Sequence, residues 1–137
     1  PKGEKLPMDA FIDLECDIFV PAARPDVIDE TNAHRLKCKA LLQGANIPCT
    51  PKAERILHDR GIISVPDFIA NAGGVICAAV EYHGGTQKSA FEQIEEKVRE
   101  NTRAVLQASK DHNQMPLEAA MMLAKQRVAE AMRYRRS

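Results

Sequence analysis

The sequence predicts an α/β fold: about three parallel strands joined by helical crossovers, followed by long C-terminal helices. Three observations carry that expectation. Short apolar runs at residues 16–20, 39–43 and 62–65 are stopped in turn by Pro21, Gly44 and Pro66, as buried strands commonly are. Helix-forming segments lie between the runs with short connections, the alternation that right-handed crossovers between parallel strands produce. From about residue 72 the apolar pattern becomes helical and stays so to the end of the 137-residue chain.

Each element has its own signal. Residues 8–14 place Met8, Phe11, Ile12 and Leu14 at spacings that suit a short helix. The run at 16–20 follows as the first strand. Residues 30–37 read as a helix capped by Thr31, with Ala33 and Leu36 inside it. The second strand, 39–43, ends at Gly44. Thr50-Pro51 is a helix start, with Thr as the N-cap and Pro at the first helical position. Ile56 and Leu57 give that helix its apolar stripe, and Gly61 after Arg60 supplies the C-terminal stop. Residues 62–65 form the third strand. All three strands are apolar on both faces, as a sheet covered on both sides requires. Residues 72–82 are apolar nearly all round and are expected to be buried. His83-Gly84-Gly85-Thr86 breaks the pattern. A helix over 88–111 carries Phe91, Ile94, Val98, Val105 and Leu106 on one side. Another, over 117–134 after Pro116, carries Leu117, Met121, Ala124, Val128 and Ala131, and its basic end at Arg133, Arg135 and Arg136 suits the helix dipole.

Composition narrows the classes of function. Apolar residues are 45% and charged residues 28% of the chain, close to the globular norm. Lys plus Arg and Asp plus Glu are 19 each, so no net charge favours nucleic acid or an anionic membrane surface. No apolar run reaches membrane-spanning length: 75–80 is cut off by Glu81 and His83. The opening residues Pro1-Lys2-Gly3-Glu4-Lys5 have no hydrophobic stretch behind them, which argues against a secretory signal. Cys16, Cys38, Cys49 and Cys77 make no CxxC, and the four histidines share no ligand spacing with them. The expectation is four free thiols in a reducing cytoplasm and no metal site.

Ligands of open α/β sheets bind beyond the carboxyl ends of the strands. Three segments fall there: Pro21-Ala22-Ala23, Gly44-Ala45-Asn46-Ile47-Pro48 and Asn71-Ala72-Gly73-Gly74-Val75. Their small residues let a ligand approach the backbone closely. Asn46 and Asn71 add carboxamides, which both donate and accept and so suit a neutral amide or a ribose hydroxyl. Each segment alone is ordinary turn chemistry; three in succession describe a binding edge.

These segments, in this order, resemble the glutamate/leucine/phenylalanine/valine dehydrogenase family. The matching text is CDIFVPAA (16–23), GANIPCTPKAE (44–54), RGIISVPDFIANAGGV (60–75) and QRVAEAMRYR (126–135), so the likeness runs from about residue 16 to the C-terminus. PDFIANAGGV is its most specific part. The resemblance implies the second half of a Rossmann-like doubly wound parallel sheet plus long C-terminal helices, the C-terminal part of an amino-acid dehydrogenase. Three strands are half of the usual six.

Residue roles follow from the resemblance alone. The backbone at Ala22 and Ala23 lines the cofactor, NAD or NADP. Asn46 lies against the nicotinamide ribose, and Asn71 approaches the nicotinamide. Val75 lines the substrate side-chain pocket together with Ala78. In glutamate-specific members the position of Ala78 is typically a Ser that helps hold the side-chain carboxylate. Ala cannot donate that hydrogen bond, which favours an aliphatic substrate. The chain has no GxGxxG and no acidic residue placed after one. No catalytic residue is assigned, because the family's catalytic Lys and Asp belong to an absent N-terminal domain.

Other candidates have simpler readings. Glu95-Glu96 with Lys97 and Arg99 is a solvated helix face. Met115, Met121, Met122 and Met132 are core filling at helical spacing. Cys49 is an inert thiol. Tyr82 and His83, beside two glycines, suit a mobile hinge between domains.

The resulting expectation is a chain whose residues 1–75 form the C-terminal half of an NAD(P)-binding domain. Residues 76–137 form a helical segment packing on it and toward the substrate domain. The parent reversibly deaminates an L-amino acid to a 2-oxo acid and ammonia, takes small molecules rather than nucleic acid or membrane as partners, and is a homo-oligomer. The chain itself is expected to self-associate through its exposed sheet edge. The alternative is a short non-catalytic paralogue that binds a nucleotide or partner; a native gene product starting near Pro1 would mark it.

Overall fold

The computed structural model describes Gly3, Lys5, Pro7 and residues 9–134. The expected roles of Met8 in the first helix and of Arg135 and Arg136 at the last helix end fall outside these residues. The chain divides into two compact units, Pro1–Ser64 and Val65–Ser137. No helix is long and apolar enough to cross a membrane among the described residues.

β1 (Ile18–Phe19), β2 (Ala40–Leu42) and β3 (Ile63–Val65) form one sheet in the order β1-β2-β3. β1 and β2 are parallel, with Ile18 opposite Ala40 and Phe19 opposite Leu41. The Ile63 amide donates to the Lys39 carbonyl at 3.1 Å and attaches β3 to the other side of β2. Each strand lies inside its expected run. α1 (Pro51–Asp59) also forms where its ends predict. The Thr50 side chain accepts from the Ala53 amide, and Gly61 takes φ +76° just beyond the cap residue Arg60.

The crossover from β1 to β2 is not the expected helix. Residues 30–37 hold only a 3-10 turn, Ala33–Arg35. The reason is local: short polar side chains offer the backbone alternatives to helical hydrogen bonds. Asp29 Oδ1 accepts from both the Thr31 amide (2.8 Å) and its hydroxyl (2.6 Å), while Asn32 Oδ1 accepts from the Asp29 amide at 3.0 Å. Arg60 then closes the turn from α1, donating to the carbonyls of Ala33 (2.6 Å) and Leu36 (2.7 Å). A parallel bridge between Ile28 and Cys49 ties the same connection to the segment after β2.

The core of the first unit lies on one face of the sheet. Ile28, Leu36, Leu41, Ala53 and Leu57 are buried together with Cys38 and Cys49. The other face is exposed along β1 and at Ile63, contrary to the expectation of two fully covered faces. Ile18 is 58% exposed and Val20 54%. The physical reason is the missing crossover helix, since α1 and the 3-10 turn pack on one side only.

The second unit is helical: α2 (Asp67–Ala70), α3 (Gly73–Tyr82), α4 (Gln87–His112) and α5 (Pro116–Tyr134). α4 packs against α2, α3 and α5. It begins with a capping box in which the Thr86 and Ser89 side chains each accept from the other's amide. It ends at Asn113, whose left-handed φ of 49° turns the chain into α5. Two expectations of burial fail here. α3 is apolar nearly all round, yet only Val80 is buried and Val75 is 78% exposed. One neighbour covers one stripe: Gly73 faces Ile94 of α4, and the opposite side of α3 meets solvent. In α5 the buried residues are Pro116, Ala119 and Ala120, while Met121, Met122, Val128 and Met132 are exposed. Of the four methionines expected to fill core, only Met115 does so.

Candidate functional site

The carboxyl ends of β1 and β2 lead into Pro21-Ala22-Ala23 and Gly44-Ala45-Asn46, and the fold sets these two segments side by side. The Ala45 amide donates to the Pro21 carbonyl at 2.9 Å. The approach is so close that a Cβ on Gly44 would lie 3.0 Å from Ala22 Cβ and 3.2 Å from Val20 Cγ1. A side chain here would require Ala22 and Val20 to give way by a few tenths of an ångström, so glycine is favoured for space and not for backbone angle. Ala22, Ala23 and Asn46 are all exposed, so this edge presents two methyl groups, open backbone and one carboxamide. Ile47, the next residue, has a left-handed φ of 48° that is unusual for a β-branched side chain.

Beneath this edge lies a buried polar cluster that the sequence reading did not pick out. Gln43 ends the second apolar run, immediately before Gly44. Its Nε2 donates to Glu54 Oε1 of α1 and to Ser64 Oγ of β3 at 3.1 Å, and Ser64 Oγ donates to the same Glu54 oxygen at 3.1 Å. All three residues are buried. A carboxylate removed from water needs such donors, and here they come from two strands and a helix. The base of the Asn46 segment is thereby held from three sides. The signal for it was in the sequence: Gln43 and Ser64 are polar residues set inside otherwise apolar strand runs.

The other expected site residues belong to the second unit. Asn71 follows α2 with φ −104° and ψ 12°, its amide donating to the Asp67 carbonyl at 2.7 Å. Val75 and Ala78 lie one helical turn apart on the exposed side of α3, with Tyr82 one turn further. Tyr82 is 87% exposed and meets His83 edge-to-face, with ring centroids 5.3 Å apart. Ala70 and Gly73, on either side of Asn71, reach the lining of an open groove of about 830 Å³ along α4. Its floor includes Ile94, Val98 and Leu106, and Arg99 and Arg103 line it as well. Thus the first unit gathers Ala22, Ala23 and Asn46, and the second separately carries Asn71, Val75 and Ala78. No group of three or more His, Cys, Asp or Glu side chains is arranged to hold a metal among the described residues.

A parallel sheet whose strand ends open into small-residue loops places the molecule in the open α/β class, where such loops carry ligands. A family profile described as Glutamate/Leucine/Phenylalanine/Valine dehydrogenase matches residues 1–136, and the chain belongs to that family. It is 39% identical to a glutamate dehydrogenase of Aeropyrum pernix over 98% of its own length and 34% of the relative's. To an NAD-specific glutamate dehydrogenase of Staphylococcus aureus it is 38% identical over 96% of its length and 33% of the relative's. Among solved structures it matches L-tryptophan dehydrogenase from Nostoc punctiforme with a TM-score of 0.83 and 25% identity, over 90% of this chain and 38% of that one. It matches the hetero-hexameric glutamate dehydrogenase of Thermus thermophilus with a TM-score of 0.80 and 26% identity, over 93% of this chain and 32% of that one. The chain therefore spans about a third of the length of the curated relatives it matches. The matches establish the family and this shared length, and they do not support the C-terminal placement that the resemblance implied.

Proposed function

We propose that this chain supplies the nicotinamide-facing part of an NAD(P)-dependent L-amino-acid dehydrogenase. The observation that carries the reading is the edge formed by Ala22, Ala23 and Asn46, with Gly44 packed so tightly against Ala22 that no side chain intervenes. These residues fit the cofactor: the two alanines keep the backbone approachable, and the exposed Asn46 carboxamide has the donor and acceptor that a ribose hydroxyl requires. A nicotinamide held by these residues would supply the acceptor for a hydride from the amino acid's α-carbon, leaving an imine. The imine left behind is hydrolysed to a 2-oxo acid and ammonia. What the residues of this chain do is bind and orient. Asn71, at the head of α3, is assigned to the nicotinamide, and Val75 and Ala78 to the substrate side chain. The domain roles follow the same reading, with residues 1–75 on the cofactor and 76–137 packing toward a substrate domain.

The Ala78 methyl and the Val75 side chain make the exposed side of α3 apolar. That supports an amino acid with an apolar side chain over glutamate, although several of the relatives are named as glutamate dehydrogenases. In the assembled enzyme, Asn46→Ala is expected to weaken NAD(P)H binding about three- to tenfold, the worth of one hydrogen bond. Nicotinamide fluorescence measures it, and an unchanged dissociation constant would remove the cofactor assignment. Ala78→Ser is expected to shift relative kcat/KM toward glutamate in a panel of amino acids. Equal kcat/KM for glutamate before and after the change would remove the pocket assignment.

A further inference from the structure

We propose that Cys16 and Cys38 form a dithiol site that a low-molecular-weight disulfide converts reversibly into an intramolecular disulfide. The pairing of β1 with β2 puts these residues together. Glu15 lies opposite Lys37 on one side of the pair and Ile18 opposite Ala40 on the other, and the same offset on both sides sets Cys16 opposite Cys38. The hydrogen bonds bracket the two cysteines across a local bend: the Cys16 amide donates to the Lys37 carbonyl at 3.5 Å, and the amides of Lys39 and Ala40 both donate to the Asp17 carbonyl, at 3.0 and 3.1 Å. Both side chains point to the same side of the sheet. Cys38 belongs to the buried core of the first unit, and Cys16 packs against that core.

Neighbouring strands run about 4.8 Å apart, inside the Cα separation that a disulfide accepts. The Cβ atoms of a disulfide prefer to be about 3.8 Å apart, so closure requires the strands to move together slightly. The backbone allows that, because both chains bend at Asp17 and Lys39, directly after the cysteines, and the bond at Cys16 is already long. A bond closed against such resistance is easily reduced, which makes the site reversible.

The two thiols differ in access. Cys38 is 8% exposed, and burial pushes its thiol up, with Cys16 nearby adding to the effect. Cys16 is half-buried and meets the reagent first. Its thiolate attacks one sulfur of oxidised glutathione, the S–S bond of the reagent breaks, and one glutathione thiolate leaves. The Cys38 thiolate then attacks Cys16 Sγ and expels the second glutathione. Two protein thiols lose two electrons, the reagent gains them, and both protons end on the two glutathione thiols.

Native chain is treated with oxidised glutathione at neutral pH, its remaining thiols are alkylated, and the product is digested with trypsin. Lys37 and Lys39 flank Cys38, so its peptide separates cleanly from those of Cys16 and Cys49. The expected product is a protein that has lost two hydrogen atoms, with the Cys16 and Cys38 peptides linked, and that dithiothreitol restores. Cys16→Ser is expected to abolish the loss, and Cys77→Ser to leave it unchanged. A glutathione that stays on Cys16, a Cys38–Cys49 link, or the same mixture of pairings with and without guanidinium would each overturn the proposal.

Discussion

The two units bury their residues in opposite ways. The first has little regular structure, with strands of two or three residues and one nine-residue helix, yet it encloses a contiguous core and a buried carboxylate. The second is almost entirely helix, and from Lys125 to Tyr134 every residue of α5 is exposed. Regular secondary structure and a core are therefore separate achievements. A helix forms from local hydrogen bonds and caps, whereas a core needs neighbours on each apolar face.

The contrast is broken most severely by cavities. Leu57→Ala, in the fully buried stripe of α1, is expected to cost about 2–5 kcal/mol. Val128→Ala on exposed α5 is expected to change stability by less than about 0.5 kcal/mol. Urea unfolding checks both, and a similar cost at the two sites would mean that α5 is covered in solution. That outcome would favour self-association, which light scattering over a range of concentrations detects independently.

A smaller effect tests the polar cluster. Glu54→Ala removes the acceptor shared by Gln43 and Ser64 and leaves two buried donors, for about 2–3 kcal/mol of destabilisation. Glu54→Gln keeps the volume and is expected to cost less. If the two variants unfold alike, the carboxylate is not the organising group. Smaller again is the capping box: Thr86→Ala is expected to lose about 1 kcal/mol, with faster amide exchange confined to the first turn of α4.

The smallest effect is electrostatic. The Arg35 guanidinium donates to Asp13 and holds its carboxyl below the usual carboxylate range. A depressed folded-state pKa stabilises the fold above the unfolded pKa, and that stability is lost as pH falls through the folded value. Asp13→Asn is therefore expected to lower stability slightly at neutral pH, to flatten the acid limb of the stability curve, and to leave stability below the folded pKa nearly unchanged. Both groups are partly solvated, which keeps the effect small.

Much of the first unit was legible in its sequence where signals were local. Thr50-Pro51 and Gly61 bracket α1 because capping and left-handed geometry depend on a few adjacent residues. The absent helix at 30–37 was a misreading of equally local chemistry, since Asp29, Thr31 and Asn32 bond to one another and to nearby backbone. The candidate site was legible in part. Motifs named Ala22, Ala23 and Asn46, while the Gln43–Glu54–Ser64 cluster beneath them joins residues up to 21 positions apart and gave only the hint of polar residues in apolar runs. Neither the periodicity of α3 nor that of α5 indicated how many neighbours each would have.

By itself, then, the sequence determined the order and type of the main elements, the caps of α1, and the segments that end the strands. These depend on interactions among residues close in the chain. Only the tertiary structure decided which face of the sheet holds the core, that Val75 and Ala78 look outward, and that Gly44 packs closely against Ala22. Burial and close approach belong to pairs of distant residues, and a residue's own neighbours along the chain carry little information about them.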